Sequence, residues 1–231
     1  EGSIESIGVG NVHLIGVGAK SDGNYNHGIQ IANVDAGVSV TNGNLHIEGT
    51  GGGTDDAGFN DGVYVRNGAT ISSAGDGSIN IIGLGGQSSG PENRGIHIDD
   101  DVSITATGDG GLHINGTGGL GSVSGTGVRI SDSSSLTSAT ADIYIEGHGK
   151  GDANSNNNHG VNVRSDALVS TTTGNIEING IAGGKHESFS NRGVQIIHGQ
   201  LEATATGNIT IQGNGGISNG GDNVGVAFAG A

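Results

Sequence analysis

Asn175-Ile-Glu-Ile-Asn-Gly180 and Asn208-Ile-Thr-Ile-Gln-Gly213 are two copies of one hexad, and five more precede them: Asn11–Gly16, Asn44–Gly49, Ser78–Gly83, Gly111–Gly116 and Asp142–Gly147. Successive copies start 33, 34, 33, 31, 33 and 33 residues apart. A fixed period of this size marks a solenoid, in which each repeat buries its apolar face only against its neighbours. Within the hexads two apolar residues alternate with polar ones, from Val12/Leu14 to Ile209/Ile211. Alternation of period two predicts a strand with one buried face. The glycine that closes each hexad suits either a bend with positive φ or a close backbone approach.

Two further strands complete the period. One reads Gly-apolar-x-apolar, as in Gly62-Val-Tyr-Val65, Gly95-Ile-His-Ile98 and Gly160-Val-Asn-Val163. The other ends in small residues and glycine, as in Ile104-Thr-Ala-Thr-Gly108, Leu136-Thr-Ser-Ala-Thr140 and Ala203-Thr-Ala-Thr-Gly207. No helical period occurs. The expected fold is all-β: a parallel β-helix with three strands per coil, about 33 residues per coil and about seven coils, forming one domain over residues 1–231.

Aligning the repeats exposes columns. Asn26, Asn60, Asn93, Asn158, Asn191 and Asn223 stand two residues before the glycine of the second strand, with Gly125 breaking the run. Stacked about 4.8 Å apart, such amides can hydrogen-bond along the axis, so an asparagine ladder is expected. Thr105, Thr107, Ser138, Thr140, Thr171, Thr173, Thr204 and Thr206 form a second pattern, with Ala106, Ala139, Thr172 and Ala205 expected to point inward. The outward hydroxyls would then make a flat face. That face resembles the ice-binding surface of Thr-x-Thr solenoid antifreeze proteins, although threonine is also simply a good exposed strand former.

Three more groups bear on chemistry. Asp22, Asn24 and Asn26, and again Asp152, Asn154 and Asn156, alternate oxygen-bearing side chains as the first half of a calcium loop does. Calcium is thus a candidate ligand, with Asp55, Asp56 and Asp61 a third acidic group, while no cofactor is required. Asp99, Asp100 and Asp101 read as a solvated bend. His13 and His46 share an outward position in adjacent coils and His113 recurs there, the pattern of exposed strand residues.

Composition narrows the partners. Eight basic residues against 23 acidic ones give a formal net charge of −15, which repels nucleic acid and anionic membranes. Cysteine is absent, so no disulfide staples the fold, and no run of 18 apolar residues offers a membrane helix. Glycine numbers 50 of 231 residues without a Gly-X-Y period, which excludes collagen.

The recurring Asn-Ile-x-Ile-x-Gly, Gly-Val-x-Val and Thr-Ala-Thr-Gly-Asn elements resemble the secreted β-solenoid stalks of bacterial surface proteins, such as filamentous haemagglutinins and large autotransporter adhesins. The resemblance implies a right-handed coil, a secreted or cell-surface location, and structural or adhesive work in an extracellular filament, with a glycan or cell-surface ligand as partner. It supplies no catalytic residues. Neither end shows a polar cap, so end-to-end self-association or continuation into a longer solenoid is expected. A polysaccharide lyase or hydrolase is the weaker reading. Arg66, Arg94, Arg129, Arg164 and Arg192 lie scattered along the chain, aromatics are 3%, and no repeat is broken to build a unique site. No enzymatic activity is expected.

Overall fold

The computed structural model describes residues 2–152 and 154–230. Three seven-stranded parallel sheets wind about one axis. The first sheet holds the hexads, as Val12–Val17, Leu45–Thr50, Ile79–Leu84, Leu112–Thr117, Ile143–His148, Ile176–Ile181 and Ile209–Asn214. The second holds Ile29–Ala32, Val63–Arg66, Ile96–Asp99, Val128–Ile130, Val161–Arg164, Val194–Ile197 and Val226–Ala229. The third holds Ser3–Ser6, Gly37–Val40, Thr70–Ser73, Ser103–Ala106, Ser135–Ser138, Leu168–Thr171 and Gln200–Ala203. Each strand pairs only with its equivalents one coil away, so the chain is a β-solenoid of about seven turns. No helix occurs among the described residues.

The alternation places one side chain in two inside. Leu45, Ile79, Leu112, Ile143 and Ile176 stack in one inward column, and Ile47, Ile81, Ile114, Ile145 and Ile178 in the next, all fully buried. One continuous cluster of Val, Ile, Leu and Ala fills the lumen. Each such buried aliphatic contributes about 1.5–3 kcal/mol of transfer free energy. Branched aliphatics suffice because the lumen is narrow.

The closing glycines of the hexads lie inside strands, where they permit contact rather than a bend. A Cβ on Gly49, Gly116 or Gly180 would stand 2.0, 2.2 or 2.1 Å from the carbonyl oxygen of Gly62, Gly127 or Gly193, the residue that opens the next strand of the same coil. The first and second sheets therefore meet backbone to backbone, and only glycine fits. Positive φ is used elsewhere. Residues preceding the asparagine ladder are left-handed in every coil: Tyr25, Phe59, Glu92, Ser124, Asn157, Ser190 and Asp222 have φ between 57 and 65°.

The ladder itself is continuous on both sides of its gap. The Nδ2 of Asn60 donates to Asn93 Oδ1 at 3.1 Å, and that of Asn158 to Asn191 Oδ1 at 3.0 Å. The same oxygens also accept the backbone N–H of Asn60 and Asn158. At the gap, Gly125 N–H donates to Asn158 Oδ1 at 2.9 Å. A second polar column precedes the first sheet, with Asn44 N–H on Asn11 Oδ1 and Asn175 N–H on Asp142 Oδ1.

The structure corrects the hydroxyl register in the third sheet. Thr105 pairs with Thr137, whereas Ser138 stands over Ala106 and Thr171 over Ser138. Ser138 and Thr171 thus face the lumen and are buried. Leu201, not Ala203, continues the column of Ile104, Leu136 and Val169. The third-sheet strands are spaced 32, 33 and 32 residues from Ile104 to Leu201, and a one-residue slip moves a side chain to the opposite face. Thr107, Thr140, Thr173, Thr204 and Thr206 are exposed; Thr173 keeps register with Thr140, but Ala205 rather than Thr206 stands beside Thr173, so the row breaks.

Replacing Gly116 by Ala will force the first and second sheets apart. We expect a loss of about 1–3 kcal/mol in urea unfolding, whereas Gly8→Ala, whose Cβ meets nothing within 4 Å, will leave the midpoint unchanged. Asn158→Ala will strand the buried Gly125 N–H and cost about 1–3 kcal/mol; equal midpoints for this variant and the parent would remove the ladder from the stability account.

Candidate functional site

Outward positions of the second sheet and of the turn leading into it carry all five arginines, three of the nine histidines and three of the six Phe and Tyr residues. Just before the glycine of each second-sheet strand the column reads His27, Asp61, Arg94, Thr126, His159, Arg192 and Val224. The first outward strand position reads Gln30, Tyr64, His97, Arg129, Asn162 and Gln195. A groove of about 410 Å³ opens among Asp61, Tyr64, Arg94, His97, Asp99 and Arg129.

Asp61 is the hub. It is buried, and its Oδ1 accepts the backbone N–H of Arg94 at 3.0 Å. His97 Nδ1 lies 3.4 Å from its Oδ2, and Arg94 Nη1 4.0 Å from its Oδ1. Burial alone would raise the Asp61 pKa, but the His97 hydrogen bond and the Arg94 charge outweigh it and hold the carboxyl below its ordinary value. Arg94 Nη1 also lies 3.4 Å from His97 Nδ1, and His97 Nε2 lies 3.7 Å from Asp99 Oδ2, so the imidazole sits between two carboxylates and a guanidinium.

The imidazoles here are neutral. Burial lowers the pKa of His97 and His27, with the Arg94 charge adding to it in both. Burial beside Arg192, Arg164 and Arg129 pushes His159 down to about 3. Their ring nitrogens serve as acceptors: His27 Nδ1 takes the backbone N–H of Asp61 at 3.2 Å, and His159 Nδ1 that of Arg192 at 3.3 Å.

Aromatic groups line one end. Tyr64 stacks on His97 with ring centroids 4.7 Å apart and planes 2° from parallel. Tyr25 stacks on Phe59 at 5.2 Å. Arg66 lies over the Tyr64 ring at 5.2 Å, a cation–π contact. Glu92 forms an ion pair with Arg94, and Asp222 with Arg192. Asp99 closes the groove, accepts the Ser131 hydroxyl at 2.7 Å, and is held below the usual carboxylate range despite its burial by hydrogen bonds from Asp132 and Ser131 and the charge of Arg129.

The five arginines, scattered in sequence, are gathered by the fold. They come singly from five successive coils, the second to the sixth, and all lie on this face. They are separated by 28, 35, 35 and 28 residues because they occupy three different registers of the same face. A search for exact repeats of 33 therefore passes over them. The ionisable character of the column from His27 to Arg192 was the available signal. Asp99, grouped above with a solvated bend, faces the groove, while Asp100 and Asp101 form the exposed left-handed turn.

The other candidate residues fall elsewhere. Asn24 Oδ1 accepts the N–H of Gly58, Asn154 Oδ1 that of Glu187 and Asn156 Oδ1 that of Phe189, so these oxygens already bond the next coil. Asn26 Oδ1 accepts the Ser21 hydroxyl. Asp22 and Asp152 are partly or fully exposed beside them. Among the described residues no group of three or more His, Cys, Asp or Glu is disposed to hold a metal. Asp61 is separated from Asp55 and Asp56, whose exposed loop bonds Ser89. His13 and His46 meet outside the first sheet with ring centroids 5.5 Å apart and planes tilted by 45°, and His46 meets Asn80 rather than a third histidine.

Compared with family models, with curated proteins and with solved structures, the chain matches none.

His27, His97 and His159 bind a proton more weakly folded than unfolded, so the unfolded chain takes up protons first below pH 6.5. Stability will therefore fall as pH drops from about 6.5 towards 3. Asp61 adds to this loss only below its unfolded value of 3.8. His159→Gln, which keeps an acceptor for Arg192, will make the acid limb of the melting-temperature profile shallower. An unchanged limb would contradict a buried neutral His159.

Proposed function

We propose that this chain is a rigid rod segment of a secreted adhesin or surface filament, in which the solenoid is the strut and the second-sheet face is its interaction surface. The carrying observation is the unbroken pairing of all three sheets through seven coils. Every strand register is kept, and polar ladders brace the turns between strands. Load along such an axis is borne by many parallel hydrogen bonds and by the interlocked apolar lumen. The resemblance of the repeat elements to bacterial surface stalks supports the secreted location. The terminal coils present open parallel edges, on which further coils or another copy can stack.

In this reading the chain binds and carries but does no chemistry. The uniform repeat favours that view, and so does the engagement of Asp61 in holding the backbone of the next coil. A glycan-binding module is the second reading, favoured by the aromatic and arginine residues of the second-sheet face. Ice binding loses support from the misaligned hydroxyl columns.

Pulling the chain by its two ends in a single-molecule force experiment tests the rod. We expect a resisted, stepwise extension whose steps release one coil, about 110 Å of chain for about 33 residues at ~3.4 Å each. Extension without measurable resistance, or a collapsed shape in small-angle scattering, would sink the reading.

A further inference from the structure

We propose that Asn42 is a self-modification site: the backbone nitrogen of Gly43 displaces the Asn42 side-chain amide, and the chain ages into aspartyl and isoaspartyl forms at the corner between the third and first sheets. The reaction is one of the chain with itself, and it stands apart from the rod reading.

Six asparagines precede a glycine, the neighbour that least obstructs ring closure: Asn42, Asn67, Asn115, Asn179, Asn214 and Asn219. The fold disarms three of them. The N–H of Gly68 donates to Asp100 O at 2.8 Å, and Asn67 Nδ2 faces Asn33 Oδ1 at 3.5 Å. Asn115 and Asn179 lie within first-sheet strands paired on both sides, which hold their backbone extended, and their amides donate to Glu146 and Glu177 at 2.9 Å. Asn42 is exposed, and neither its side chain nor the N–H of Gly43 makes a hydrogen bond among the described residues. Gly43 is buried, where an unbonded N–H is uncommon. No bond has to break before this nitrogen attacks. Asn214 and Asn219 share the free glycine amide but sit in the last described turn, with a coil on one side only.

The same corner in later coils is inert. Its residue pairs run Asn42-Gly43, Asp76-Gly77, Asp109-Gly110, Thr140-Ala141, Thr173-Gly174 and Thr206-Gly207. Threonine has no side-chain carbonyl to attack. The ionised carboxylates of Asp76 and Asp109 are poor electrophiles, and Asp109 also accepts the Thr140 hydroxyl at 2.7 Å. The N–H of Gly174 is held by Thr171 Oγ1 at 3.1 Å. In this column Asn42 alone sets a neutral carbonyl and a leaving group beside a free backbone amide.

Hydroxide takes the Gly43 amide proton, the nitrogen attacks Asn42 Cγ, and the bond from Cγ to the side-chain nitrogen breaks. That nitrogen takes a proton from water and leaves as ammonia, and a succinimide remains. Water then opens the ring. Addition at Cγ gives aspartate. Addition at the main-chain carbonyl carbon gives isoaspartate, whose backbone runs through the side chain and is longer by an atom. The corner has no room for it. A Cβ on Gly43 would stand 1.9 Å from Gly10 O, and one on Gly77 1.8 Å from Gly43 O, so glycine is stacked on glycine here. The strands joined by this corner, Gly37–Val40 and Leu45–Thr50, are paired on both edges and cannot shift to absorb the extra length. Either product also adds a carboxylate at the corner where Asp76 stands in the next coil, and like charges on neighbouring strands repel.

The test is incubation of the full chain at mildly alkaline pH, folded and in urea, followed by peptide mass mapping and thermal melting. In the folded chain we expect Asn42 to convert to both aspartyl products about ten-fold faster than Asn67, Asn115 or Asn179, the rate cost of breaking a hydrogen bond first. In urea that lead should vanish, because every Asn-Gly pair is then equally free. The aged parent should melt below the fresh chain, whereas aged Asn42→Gln should keep its fresh melting temperature. Asn42→Asp carries the new charge without the lengthened backbone and should melt between the fresh parent and the isoaspartyl fraction. An intact Asn42 while Asn67, Asn115 or Asn179 converts, or the same order of conversion in urea, would overturn the proposal. So would an aged parent, converted at Asn42, that melts with the fresh one.

Discussion

Axial register governs this molecule. Each strand's hydrogen bonds go only to the coil above and the coil below, so every inward side chain must stand on its equivalent. The consequence is a lumen of stacked isoleucine, valine and leucine, and a strict separation between inward residues, which repeat, and outward residues, which need not. The same constraint reaches the turns. An amide that repeats once per coil bonds its own copies, and its oxygen also receives the neighbouring backbone N–H, so a buried turn stays satisfied without water.

Where two sheets of one coil come together, the constraint becomes steric. The hexad glycines and the glycines opening the second strands hold two backbones in contact, with no room for a Cβ. Thinness at this edge explains why a chain with few aromatics forms a stable interior. The lumen needs no large side chains.

Outward positions are released from repetition, and there the chain places its chemistry. Asp61 anchors the next coil and lies against both His97 and Arg94, so one buried carboxylate couples the strut to the face beside it. The arginines above it share a surface without sharing a register. That irregularity, set on a regular scaffold, gives the rod a distinct side.

The strands, their number, the coil length and the asparagine and glycine columns were legible in the sequence because each is a local pattern repeated seven times, and stacking forces identical residues into contact. The hydroxyl columns were misread because coil length varies by one or two residues, and one residue is enough to turn a side chain from surface to lumen. The groove was illegible for a related reason. Its members, such as Asp61, His97 and Arg129, repeat in no column and meet only when coils from three different repeats are stacked in register. The sequence by itself determined the solenoid, because periodic burial has a single geometric solution. Only the tertiary structure decided which unlike residues become neighbours, because lateral proximity between coils depends on a register that the period approximates and the hydrogen bonds define.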